Sequence, residues 1–123
     1  VSGHDYGDER RFIDNTMTSL RSLVEELKFA LILVSHLKRP DGRGHEEGGL
    51  TSLSQLRGSA GIAQLSDMVF GLERNQQDED LADVTRVRVL KNRWSGQTGL
   101  CLSLDYSHDT GRITEISMME ETI

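Results

Sequence analysis

A chain of 123 residues with 14 basic and 20 acidic side chains carries a formal net charge of −6. Its single cysteine, Cys101, excludes an intrachain disulfide scaffold. Its longest apolar run, Phe29 to Val34, is far too short to cross a bilayer, and no basic segment leads into an apolar export signal. One domain with a single core is the expectation at this length. A net acidic balance disfavours a generally basic nucleic-acid binder but permits a few basic loops facing a strand. The chain opens Val1-Ser2-Gly3 without a methionine, as a piece of a longer protein would.

Ile13, Met17, Leu20, Val24 and Leu27 recur at intervals of three and four, with Arg10, Asp14, Arg21 and Glu25 between them. That period predicts an amphipathic helix from about Asp8 to Lys28, with Asp8 capping its first turn. Leu31 to Ser35 then reads as a short strand buried on both faces. Helix followed directly by such a strand points to a parallel α/β layer.

From Pro40 to Gly61 the character changes, and six of the twelve glycines fall there. Asp41 to Gly49 sustains neither helix nor strand cheaply, which predicts a mobile loop. A short helix from about Ser52 to Ser66 follows, then a strand at Met68 to Glu73. An acidic turn, Asp78-Glu79-Asp80, leads to a strand at Val84 to Asn92. Gly99 to Tyr106 and Arg112 to Ile116 form a β-hairpin around Ser107 to Gly111. Met118 to Ile123 is a frayed tail.

Several residues invite chemistry. His36 closes the apolar run, where open α/β sheets bind ligands beyond their strand ends and where an imidazole can bond a phosphate oxygen. A satisfied histidine closing a strand is the plainer reading from spacing alone. Strict alternation would send Thr85, Val87, Val89, Lys91 and Arg93 to one face, so that two cations leave the strand end together. An arginine so placed can neutralise charge on a transferred phosphoryl group, although a solvated strand end with surface ion pairs has the same sequence. Lys38, Arg39 and Arg43 can follow a nucleic-acid backbone, against Glu46 and Glu47 in the same loop and no aromatic platform. Arg57-Gly58-Ser59 offers a second phosphate contact or a plain turn. No CxxC pair, clustered histidines, nucleophile elbow or GxxxxGK[ST] loop occurs.

Six blocks in order are more specific than any one of them. They are Leu33-Val34-Ser35-His36-Leu37-Lys38-Arg39-Pro40, His45-Glu46-Glu47-Gly48, Leu56-Arg57-Gly58-Ser59, Gln64-Leu65-Ser66-Asp67, Leu72-Glu73-Arg74-Asn75-Gln76-Gln77, and Leu90 through Gly99. Together they resemble ring-forming replicative DNA helicases of the DnaB type, and most of all the helicase domain of phage bifunctional primase–helicases. The likeness runs from Asp8 to Gly111.

This resemblance implies an α/β fold, a partial RecA-like P-loop NTPase core with a mostly parallel sheet, flanking helices and a C-terminal β-hairpin. Residues 1–117 would be the second half of that core, without Walker A or Walker B, and 118–123 a tail. It implies a ring-shaped enzyme that couples NTP hydrolysis to 5′-to-3′ movement on single-stranded DNA and to duplex unwinding. Arg93 would be the arginine finger with Lys91 beside it, His36 the phosphate sensor, and Gln64 its helper. Arg74 and Tyr106 would hold the nucleotide base, while Lys38, Arg39, Arg43, Arg57 and Gly58 would meet DNA. Ala63 stands where the phage relatives carry an arginine, so one basic contact is missing or moved. ATP or dTTP with Mg²⁺ would bind the intact parent and bind this piece alone only weakly. Implied partners are single-stranded DNA, further copies in a hexamer, and a replicative polymerase and primase, in a bacterial cytoplasm and without a membrane. Two other classes share these features: a non-enzymatic RecA-like module that binds DNA or a helicase ring, and a RecA-like recombinase.

Overall fold

The structure is a computed structural model that describes residues 6–38, 44, 47–56 and 61–117. These gather into two compact units, residues 1–38 with 53–67 and residues 39–52 with 68–123. The tail from Met118 onward, and Arg39, Arg43, Arg57 and Gly58, lie outside the described residues.

In the first unit, helix α1 (Tyr6–Leu27) takes the predicted period and starts slightly earlier, which puts Asp8 inside its first turn instead of at the cap. Met17 is buried at the centre of the apolar stripe, while Ile13, Leu20 and Val24 are half-buried beside it. The helix ends where Lys28 turns left-handed (φ 55°) and its N–H bonds the Val24 carbonyl at 2.8 Å. Arg21 bonds Glu25 one turn on and Asp67, at 3.0 and 2.9 Å, tying α1 to the end of helix α2 (Gly61–Leu65). The helix expected over Ser52 to Ser66 is therefore two shorter pieces, a 3-10 turn at Leu53–Gln55 and α2.

The strand expected at Leu31 to Ser35 does not form. Ile32 is 91% and Val34 87% exposed, and pairing begins only at Leu37, which bridges Leu56 while the Lys38 N–H bonds the Gln55 carbonyl. A run apolar on both faces is stable as a strand only between hydrogen-bonding neighbours, and the described residues offer it none.

The second unit is a four-stranded sheet, β1 (Met68–Arg74), β2 (Val84–Asn92), β3 (Gly99–Tyr106) and β4 (Ile113–Ile116), in sequential order. Every pair is antiparallel, which corrects the mostly parallel sheet expected. The physical reason is the length of the links. Residues 75–83, 93–98 and 107–112 are too few for a crossover, which needs a dozen or more, and they suit hairpins. The strand positions themselves agree with the sequence reading.

Residues paired across antiparallel strands share a face. One face carries Gly71, Glu73, Arg86, Arg88 and Ser103, and the segment through Thr51 packs upon it. The other carries Phe70, Leu72, Arg74, Thr85, Val87, Leu102 and Leu104, with Phe70 and Leu72 more than half exposed. The register slips between Val69 and Phe70, which face Lys91 and Val89, so Leu90 is an extra residue. This bulge corrects the expected alternation. Lys91 leaves the face of Val87 and Val89, and Arg93 lies beyond the strand in a turn.

Gly71 sits directly beneath Thr51. A Cβ there would lie 2.0 Å from Thr51 Oγ1 and 2.7 Å from its Cβ. Thr51 is 4% exposed and short, so it has little room to yield. Gly71→Ala should therefore destabilise the chain by about 1–3 kcal/mol. A urea melt will check this, and an unchanged midpoint would show that Thr51 moves aside freely.

Candidate functional site

Three places in the described structure hold side chains for which the sequence leads one to expect chemistry. The first lies at the Arg74 end of the sheet. Arg74 faces Thr85, Thr85 faces Leu104, and Tyr106 follows Leu104 by two residues, so Arg74 and Tyr106 share one face at one end. One strand separates them, a lateral spacing of about 10 Å. Both are exposed. The Arg74 Nε donates to the Ala82 carbonyl, and the Tyr106 N–H donates to the Asp83 carbonyl at 3.0 Å. A guanidinium and a phenol ring presented this way can sandwich a planar group.

The second set is the turn after β2. Asn92 organises it: its Oδ1 accepts from the N–H groups of Trp94 and Ser95 at 3.2 and 3.3 Å, and its Nδ2 donates to Ser95 Oγ at 2.7 Å. The Gly96 N–H returns to the Asn92 carbonyl at 2.8 Å with Gly96 at φ 76°, a conformation that suits glycine. Arg93 and Trp94 are both exposed on this braced turn, Trp94 at 71%. An arginine in this position can reach into a site on another molecule.

The third set belongs to the first unit. Lys38 and Gln64 line one open cleft with Arg10, Asp14, Thr18 and Leu65. The cleft brings together a residue expected to meet DNA and one expected to assist phosphate sensing, and it adds Arg10, which lies between the apolar positions of α1. His36 does not line it. His36 is exposed, and its main-chain carbonyl accepts from Ser35 Oγ at 3.2 Å.

Glu73 was not singled out from sequence, yet it is the most deeply buried charged residue described, at 1% exposure. Its Oε2 accepts from Thr51 N, Thr51 Oγ1 and Arg88 Nε, each at 2.8 Å, and its Oε1 accepts from Arg88 Nη2 at 3.1 Å. Burial pushes the Glu73 carboxyl up, but the Arg88 guanidinium and the two Thr51 donors outweigh it and hold the group below its ordinary 4.5. Two residues on, Asn75 bridges Glu47, and the Glu47 and Gly49 N–H groups both bond the Gly44 carbonyl at 3.0 Å. Glu47 thus meets the chain just beyond β1, next to Arg74, while Thr51 meets Glu73 on its other side.

Among the described residues no group of three His, Cys, Asp or Glu side chains could hold a metal ion, and no helix is long and apolar enough to cross a membrane.

The family model for the DnaB-like helicase C terminal domain matches residues 2–115. A DNA helicase/primase of Enterobacteria phage T3 is 42% identical over 112 residues, which are 90% of this chain and 20% of that protein. The chain thus spans about one fifth of the length of the relative it matches. With the six ordered blocks and a match across nearly its whole length, the chain belongs to the DnaB-like helicase C-terminal domain family.

Proposed function

We propose that this chain is part of a replicative helicase that couples NTP hydrolysis to 5′-to-3′ movement along single-stranded DNA and to duplex unwinding. The observation that supports the reading is the shared face of Arg74 and Tyr106 at one end of the sheet, a cation and a ring of the kinds that stack on a base. The bound substrate is ATP or dTTP with Mg²⁺. In this chain Arg74 and Tyr106 hold the base, and His36 and Gln64 respond to the terminal phosphate. Lys38, with Arg39, Arg43, Arg57 and Gly58, follows the strand backbone by phosphate contacts.

Arg93 works on the next copy in a hexameric ring, with Lys91 beside it. Its planar guanidinium is suited to the charge that spreads over the phosphoryl oxygens as the bond to the leaving group breaks. A braced turn supports this role, since a finger that must be rebuilt at each encounter would lose orientation. The acidic total does not oppose DNA binding, because basic residues concentrate at Lys38 to Arg43 and Arg86 to Arg93. The relative's name, a DNA helicase/primase, supports an attached or associated primase, and replication calls for a polymerase partner. The setting is the cytoplasm of a bacterial host.

The residues that cradle the triphosphate are not among the motifs of this chain, so the chain alone should bind nucleotide weakly. Calorimetry with ATP and with dTTP is expected to give no tight complex. A tight complex with either would mean that these residues suffice for a whole nucleotide site.

A further inference from the structure

Ala82 and Asp83, the two residues that precede β2, make three contacts and His108 adds a fourth, and together these converge on Arg74 and Tyr106. The Ala82 carbonyl accepts from Arg74 Nε, and the Asp83 carbonyl accepts from the Tyr106 N–H at 3.0 Å. Asp83 Oδ1 meets His108 Nε2 at 2.8 Å. The His108 ring then stands against the Tyr106 ring at 5.1 Å between centroids and 85° between planes. The turn at Ser107 directs His108 back over the strand end. Its N–H bonds the Arg112 carbonyl at 2.9 Å, its carbonyl accepts the Gly111 N–H at 2.7 Å, and Gly111 takes φ 73°.

We propose that Asp83 and His108 are positioning residues for base recognition, holding the Tyr106 ring in the plane that receives a nucleobase opposite Arg74. The proposal rests on the reading that Arg74 and Tyr106 hold that base. Three observations carry it. The pair is a poor stabiliser of the fold, because the His108 side chain is 70% and Asp83 37% exposed, where ion pairs are worth little. A perpendicular ring contact covers at most one face of the tyrosine and leaves one for stacking. Both halves of the base clamp are tied to adjacent residues of one turn, so their separation is set before any ligand arrives. Exposed aromatic and guanidinium side chains otherwise lose rotamer freedom on binding, and that loss is what prior bracing removes.

The test uses the full-length helicase with steady-state kinetics. His108→Ala is expected to raise KM for the nucleotide by roughly 3- to 10-fold, with kcat, melting temperature and single-stranded DNA affinity unchanged. Asp83→Ala should match it, and the double variant should add little, because both act through one contact. Inhibition by inorganic triphosphate, which has no base, should be the same in all three. Tyr106→Ala separates the two claims. If it leaves KM unchanged, the base reading fails and this proposal with it. If it raises KM while His108→Ala does not, the base reading stands and the positioning role is overturned. A loss of kcat, of stability or of triphosphate inhibition in His108→Ala would equally overturn it.

Discussion

Replacing Arg93 with alanine in the full-length helicase should lower DNA-stimulated hydrolysis by about 10³-fold or more, the range over which an arginine finger acts. DNA binding and nucleotide binding should survive, because the turn is closed by backbone bonds and by the Asn92 side chain. Arg93→Lys should recover little, since an ammonium cannot present the paired donors of a guanidinium. Mixing experiments give the sharper measurement. If Arg93 works on the neighbouring copy, Arg93→Ala subunits mixed with subunits unable to bind triphosphate should rebuild some working interfaces, in proportion to chance pairing. Full DNA-stimulated turnover by Arg93→Ala alone would remove the finger assignment.

Glu73→Ala should be the most damaging single change to the sheet unit. It strips the partners from the Arg88 guanidinium and from the buried Thr51 N–H and hydroxyl together. Breaking a buried ion pair from one side costs about 3 kcal/mol or more. For a unit of this size that lowers Tm by roughly 12–24 °C. A thermal melt within a few degrees of the parent would show that the network carries no such load. The same group dictates the acid response. Glu73 has a lowered pKa in the fold, so its stabilisation is fully present above the ordinary value of 4.5 and is lost as pH falls through the folded value. Stability measured from pH 6 downward should therefore fall below about pH 4.5, and Glu73→Gln should flatten that part of the profile.

Strand positions were legible because β1, β2 and the hairpin announce themselves by apolar runs and turn residues. Their direction was not read correctly, although the signal was present. The short links at 75–83, 93–98 and 107–112 rule out crossovers, and the expectation of a parallel layer came from the adjacent helix and apolar run at Leu31 to Ser35. That run illustrates the limit of local pattern. Its composition suits a strand, but a strand exists only with partners, and Ile32 and Val34 have none among the described residues. The bulge at Leu90 has no sequence mark, and that single extra residue takes Lys91 off the face of Val87 and Val89, while Arg93 falls in the turn beyond the strand.

At the candidate site, Arg74 and Tyr106 were reached by resemblance, and the register then put them on one face. Glu73, Thr51 and Arg88 escaped notice because their contacts join positions far apart in sequence. Asp83 and His108 are likewise distant along the chain and read as ordinary turn residues. Arg10 read as one of the charges between the apolar positions of α1 until the cleft gave it Lys38 and Gln64 for company.

The turn that carries Arg93 has a practical corollary. Trp94, the sole tryptophan of the chain, stands beside it with its indole in water. Any copy that closed over the arginine would cover the indole as well and shift its emission toward the blue.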